Sequence, residues 1–196
     1  MTNFRGPGQR AGLTEETLLT AARQILDEEG LAALTMRTLA RRLDVAPNAL
    51  YSHVANKAAL VDLLLDDLLS AIPITAPTAE DPRAGLLDLM TATYDTLTAH
   101  PTLVPLYLAR QGARGPHALR LGGIMDDLLR RAGAEAASIP EARRVLIIHA
   151  IGSAAFTTGA ADDPATDRLL TSEDARQTFT RSLRWLLNGL SHEHQL

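Results

Sequence analysis

Residues 34–57 read Leu-Thr-Met-Arg-Thr-Leu-Ala-Arg-Arg-Leu-Asp-Val-Ala-Pro-Asn-Ala-Leu-Tyr-Ser-His-Val-Ala-Asn-Lys. Two short helical patterns meet there at a three-residue turn. Thr35 is an N-cap across which Leu34 can staple onto Leu39, and the first helix runs to about Leu43 with Ala40 as a small inward residue. Asp44 takes the turn, which asks for a left-handed backbone that aspartate tolerates better than most non-glycine residues. Pro47 then stands at N1 of a second helix that runs to about His53. Within 35–57, Arg37, Arg41, Arg42 and Lys57 face Asp44 alone, a local net charge of +3. A pair of short helices at a tight turn, with a basic face, reads as a helix-turn-helix that approaches DNA.

Composition bounds the rest of the chain. A length of 196 residues allows one substantial core, or a small domain attached to a larger one. The absence of cysteine excludes disulfides, thiolate metal sites and cysteine nucleophiles, and suits a reducing interior. The first twelve residues are polar and glycine-rich without the apolar core of a signal peptide, and no apolar run approaches a membrane span, so a soluble cytoplasmic protein with no membrane partner is expected. The formal net charge of −4 argues against a nucleic-acid partner until it is divided along the chain. Residues 1–57 hold seven basic and six acidic side chains, and residues 58–196 hold twelve and seventeen. The basic footprint is local.

Alanine and leucine dominate, β-branched runs are scarce, and cap signals recur at helix-length intervals, which makes the class all-α. Residues 1–12 are expected to be a disordered arm. Thr14 caps a support helix with Glu15 and Glu16 near its positive end, an apolar stripe of Leu18, Ala22 and Ile25 widened by Leu26, and Gly30 at a left-handed stop. Asn56 caps a leucine-rich helix over about 57–72. Its two stripes, Leu60, Leu64 and Leu68 beside Val61, Leu65 and Leu69, make it a joint between two bodies. Residues 13–72 are thus a three-helix DNA-binding domain with its joint helix, and 73–82, with three prolines, are a linker. Residues 83–196 form a larger α-helical domain. Asp81-Pro82 opens a helix to about His100, a shorter one follows Pro101, and Pro116 opens another to about Ala132, weakened in the middle by Gly122-Gly123. Ser138 to Glu141 is a capping box for a helix to about Ala161, and Thr171-Ser172 opens the last helix, ending at Asn188-Gly189.

On the second short helix of the turn, Asn48, Ala49 and Ser52 are small or polar enough to approach base edges; asparagine pairs with adenine and alanine touches a thymine methyl. Arg37 is the candidate for a guanine. Thr35, Tyr51, His53 and Lys57 flank this surface with donors suited to phosphates, which fix register without reading sequence. The alternative is that Tyr51 packs, His53 is half-buried in the core, and Arg41 and Arg42 form a solvated face.

Residues 13–69 resemble the DNA-binding domain of the tetracycline-repressor (TetR) family, through Leu-Thr-Met-Arg-Thr-Leu-Ala and Leu-Tyr-Ser-His-Val-Ala-Asn-Lys-Ala-Ala-Leu. The resemblance implies that Arg37, Asn48 and Ala49 face bases while Thr35, Tyr51 and Lys57 hold phosphates. The chain departs from the family at Asp44, where glycine is usual, and at Ala46, where a serine or threonine often caps the reading helix. Losing that cap costs about 1 kcal/mol of local stability.

By the same resemblance, the second domain binds a small effector and dimerises. Met90, Tyr94 and Leu97 recur on one helix face, followed by Tyr107, Leu108 and Gln111 and then Met125 and Leu128. An apolar lining with a few polar tips suits a pocket, and an ordinary core fits the same residues. His149 shares a stripe with Val145, Ile148, Gly152 and Phe156 and suits either the pocket or an interface. Small residues at Gly152, Ala155 and Gly159, with a stripe of Phe179, Leu183, Leu186 and Leu187, could close a four-helix bundle between two copies, or pack within one chain. In the tetracycline-binding branch of the family the drug arrives as a magnesium chelate held partly by histidines. Here Pro73 falls near the first such place and residues 101–111 lack histidine, so an organic, metal-free effector is expected, with no cofactor.

The function that follows is a homodimeric repressor released from a palindromic double-stranded operator by a small molecule. Two alternatives stand beside it. One is an all-α enzyme or carrier with an incidental helix-turn-helix, for which the sequence offers no His-Glu-x-x-His, Gly-x-Ser-x-Gly or phosphate loop and only His149 and Ser153 at i, i+4. The other is a constitutive DNA-binding protein with a filled second domain.

Overall fold

The structure, a computed structural model, describes residues 13–73, 80–112, 114–159 and 171–189. The expected arm at 1–12, most of the expected linker at 73–82, and the expected end of the 138–161 helix lie outside these residues. The described elements are all helical: α1 (Glu15–Glu29), a 3-10 turn (Leu31–Ala33), α2 (Met36–Arg42), α3 (Pro47–Leu50), α4 (Lys57–Ser70), α5 (Pro82–Ala99), a second 3-10 turn (Pro101–Leu103), α6 (Val104–Arg110), α7 (Pro116–Arg131), α8 (Ile139–Gly159) and α9 (Ser172–Gly189). Two compact units divide the chain between Leu64 and Leu65, within α4.

In the first unit, Thr14 accepts from Thr17 N–H at 3.2 Å and Thr17 Oγ1 accepts from Thr14 N–H at 3.0 Å, a reciprocal cap that fixes the start of α1. Leu18, Ala22, Ile25 and Leu26 are buried as the stripe predicts, with Leu34, Leu39, Ala40, Leu50, Val54 and Leu60 completing the core. Gly30 ends α1 at φ 80°, ψ 177°. That is an extended positive-φ conformation rather than the left-handed helical stop expected of it, and it is open essentially to glycine alone. Asp44 does take the left-handed turn, at φ 52°. Helix α3 is shorter than the sequence predicts: it stops at Leu50, and residues 51–53 continue as turn.

In the second unit, α5 packs against α7, α8 and α9, and α8 also packs against α6, α7 and α9. Asp81 caps α5 by accepting from Arg83 N–H at 2.9 Å. Helix α7 runs unbroken through Gly122-Gly123. Arg176 on α9 forks onto Asp95 on α5 with two bonds of 2.7 Å. Phe179 is held between the Tyr94 ring, 4.4 Å away centroid to centroid, and the His149 ring, 5.1 Å away. Phe179, Leu183 and Leu187 are buried by their own chain. This corrects their expected place in a subunit interface: the α9 stripe is spent on α5 and α8. Leu186 is half-buried, and Gly152, Phe156 and Gly159 are exposed on α8.

Candidate nucleic-acid interface and ligand cavity

The helix-turn-helix begins at Thr35, whose Oγ1 accepts from Thr38 N–H at 3.0 Å and meets Thr38 Oγ1 at 2.9 Å. That cap directs α2 so that Arg37 is exposed while Leu39 and Ala40 turn inward. Asn48 and Ala49 are exposed on α3, with Leu50 as its inward anchor. Tyr51, 52% exposed, and His53 and Lys57, also exposed, continue the surface, so neither Tyr51 nor His53 belongs to the core. Asn56 accepts from Ala59 N–H at 2.9 Å and starts α4 with Lys57 in its first turn.

Two polar side chains near the surface are committed elsewhere. Arg42 bonds Glu28 at 2.8 Å and Glu29 at 2.7 Å. The hydrogen bond to Glu28, then that to Glu29, raises its pKa. It braces α1 against α2 instead of serving the basic face. Ser52 Oγ donates to Ala49 O at 2.7 Å, so its hydroxyl hydrogen is already used. Ala46 precedes α3 with no side-chain cap bond.

The second unit contains a cavity of about 300 Å³ lined by α4, α5, α6, α7 and α8. Of the residues expected around an effector, Met90, Tyr107, Gln111 and Met125 line this cavity. Leu69, Thr93, Ala118, Leu121, Arg143 and Ile151 also line it and were not anticipated, because α4, α5 and α8 are apolar on more than one side and their periodicity does not choose a face. Five expected pocket residues sit elsewhere. Leu97 and Leu128 are buried off the cavity wall and Leu108 is exposed. Tyr94 stacks on Phe179 and meets Thr157 Oγ1 at 3.0 Å through its hydroxyl. Phe156 points away, 71% exposed. His149 is a sixth: its Nε2 lies 2.9 Å from Ser182 Oγ on α9. Arg143 brings a charge to the wall and is bonded to Asp126 Oδ2 at 2.6 Å.

Burial lowers the pKa of His149 from 6.5, with a smaller opposing pull from the Phe179 carbonyl. A histidine kept neutral in the fold but free to ionise when unfolded makes stability rise with pH. Stability should therefore be complete above about pH 6.5 and decline as pH falls from there toward the lowered folded-state value. Thermal midpoints between pH 7.5 and 5.5 would measure that slope, and His149→Gln should remove its share.

Among the described residues, no helix is long and apolar enough to cross a membrane. An exposed basic helix-turn-helix in one unit, with an all-helical second unit hollowed by an apolar cavity, defines a two-unit protein of the transcription-regulator class. Residues 18–64 match the family described as "Bacterial regulatory proteins, tetR family". An HTH-type transcriptional regulator of Saccharopolyspora erythraea is 30% identical over 141 residues, 72% of this chain and 59% of that protein. The class D tetracycline repressor of Escherichia coli is 42% identical over 60 residues, 31% of this chain and 28% of that protein. The chain thus spans under two thirds of the length of either curated relative. The crystal structure of Mycobacterium smegmatis BioQ superposes with a TM-score of 0.80 at 28% identity, covering 91% of this chain and 98% of that one. The chain belongs to the TetR family of bacterial regulators.

Proposed function

We propose that the protein is a homodimeric repressor that grips a palindromic operator with one helix-turn-helix per copy and releases it when a small organic molecule enters the cavity of the second unit. The observation that carries this reading is the joint exposure of Arg37, Asn48 and Ala49 on one short helix pair, the residue types that read guanine, adenine and thymine edges. A BioQ solved with its double-stranded DNA operator, 28% identical, supports it. So do exposed apolar side chains on α8 and α9, Val145, Ile148, Phe156 and Trp185, which a second copy would cover. An open cavity favours ligand response over constitutive binding.

Selection of duplexes from a random pool tests the reading. An inverted repeat with half-sites about one helical turn apart is expected; a pool that stays random rejects it. Arg37→Ala should then cost roughly 1–3 kcal/mol on the selected duplex and relax the preference at one base pair. Lys57→Ala should weaken binding to all duplexes alike and reduce the slope of log affinity against log salt by about one. Titrations at several salt concentrations on selected and scrambled duplexes separate the two behaviours.

A further inference from the structure

Asp66 is the one buried charged side chain among the described residues, and α7 explains its place. Helix α7 opens at Gly115, which has no side chain to cap with, followed by Pro116 at N1. A capping side chain would serve the amides at N2 and N3. Here His117 N–H donates to Asp66 Oδ2 at 3.2 Å and Ala118 N–H donates to Asp66 Oδ1 at 2.9 Å. The cap of α7 is delivered by α4, and the carboxylate also lies at the positive end of the α7 dipole. A Cβ added at Gly115 would overlap that carboxylate, although φ −90°, ψ −175° there suits any residue. The glycine is demanded by the approach of Asp66, not by the turn.

The cavity meets both ends of this bond. Leu69, one turn beyond Asp66 on α4, and Ala118, whose amide receives the cap, both line it. Lys57 opens the same helix, α4.

Resting on the regulator reading above, we propose that Asp66 is the positioning residue that couples the cavity to DNA. Its carboxylate clamps α4 to the first turn of α7; the clamp is closed in the DNA-bound protein, and an occupant wedged between Leu69 and Ala118 opens it. Opening strips the acceptor from two amides and leaves a carboxylate without partners, so the clamp has two arrangements rather than a continuum. Linkage is reciprocal, so DNA binding must tighten the clamp.

That reciprocity gives a test needing no effector. In the full chain, a saturating amount of the selected duplex should slow amide hydrogen exchange at His117 and Ala118 by at least about fivefold, the lower end of common coupling strengths. Asp66→Asn should abolish the slowing. The decisive variant combines Asp66→Ala with Gly115→Ser, which gives α7 a cap of its own without α4. It should regain the thermal midpoint lost in Asp66→Ala alone, yet show no slowing on adding duplex. Duplex-bound wild type with unchanged exchange at both amides, or slowing that survives in the double variant, overturns the coupling role and leaves the regulator reading standing. Failure of the wild type to bind any duplex removes both.

Discussion

Changing Ile148 and Phe156 together to aspartate is expected to yield a folded monomer that binds its operator roughly 10²–10⁴-fold more weakly than the parent, the range that separates one tethered site from two. The two side chains are 61% and 71% exposed and stand on the same stripe of α8 as Gly152, where a second helix can come close. On α9, Trp185 is 67% exposed. Exposed apolar side chains on one helix stripe are what the proposed second copy would cover. Aspartate at these positions stays hydrated in a single copy and should leave its thermal midpoint close to the parent monomer's. Between two copies it would be buried against apolar groups without a partner, which is strongly unfavourable. Equilibrium sedimentation and duplex titration read the two effects separately. A variant that remains dimeric would place the subunit contact on another face.

Phe179→Ala should destabilise the second unit by about 3–5 kcal/mol, the usual cost of emptying a buried aromatic site. The ring lies between Tyr94 on α5 and His149 on α8, so its loss removes two ring contacts along with the buried area. The neighbours cannot collapse freely, because Tyr94 is tied to Thr157 and His149 faces Ser182. Chemical denaturation followed by tryptophan fluorescence would measure the change, since Trp185 lies on the same helix, α9. A loss below 1 kcal/mol would mean that α9 is not fixed through this stack.

Residues 13–57 were readable because their signals are local. Thr14, Thr35, Asp44 and Pro47 each dictate backbone within one turn of themselves, and the structure uses each as its chemistry suggests, whereas Gly30 shows that a positive φ does not by itself specify ψ. The second unit was readable as helices but not as a site. The α9 stripe announces that Phe179, Leu183 and Leu187 are buried without saying by which chain. On α5, Tyr94 and Met90 are both buried, and periodicity could not say that Met90 lines the cavity while Tyr94 stacks on Phe179. Asp66 was invisible for a different reason. Inside a leucine-rich helix an aspartate reads as a solvated interruption, and its partners, the amides of His117 and Ala118, lie some fifty residues away along the chain.

The bare start of α3 has a consequence beyond its small loss of helix stability. Ala46 offers no side-chain acceptor, Pro47 has no amide, and Ala49 N–H donates to the Ala46 carbonyl at 2.8 Å. The helix that carries the proposed reading residues is therefore held from its far end, where Leu50 is fully buried. A serine or threonine at 46 would add the missing side-chain cap and hold this four-residue helix from both ends, a gain of about 1 kcal/mol.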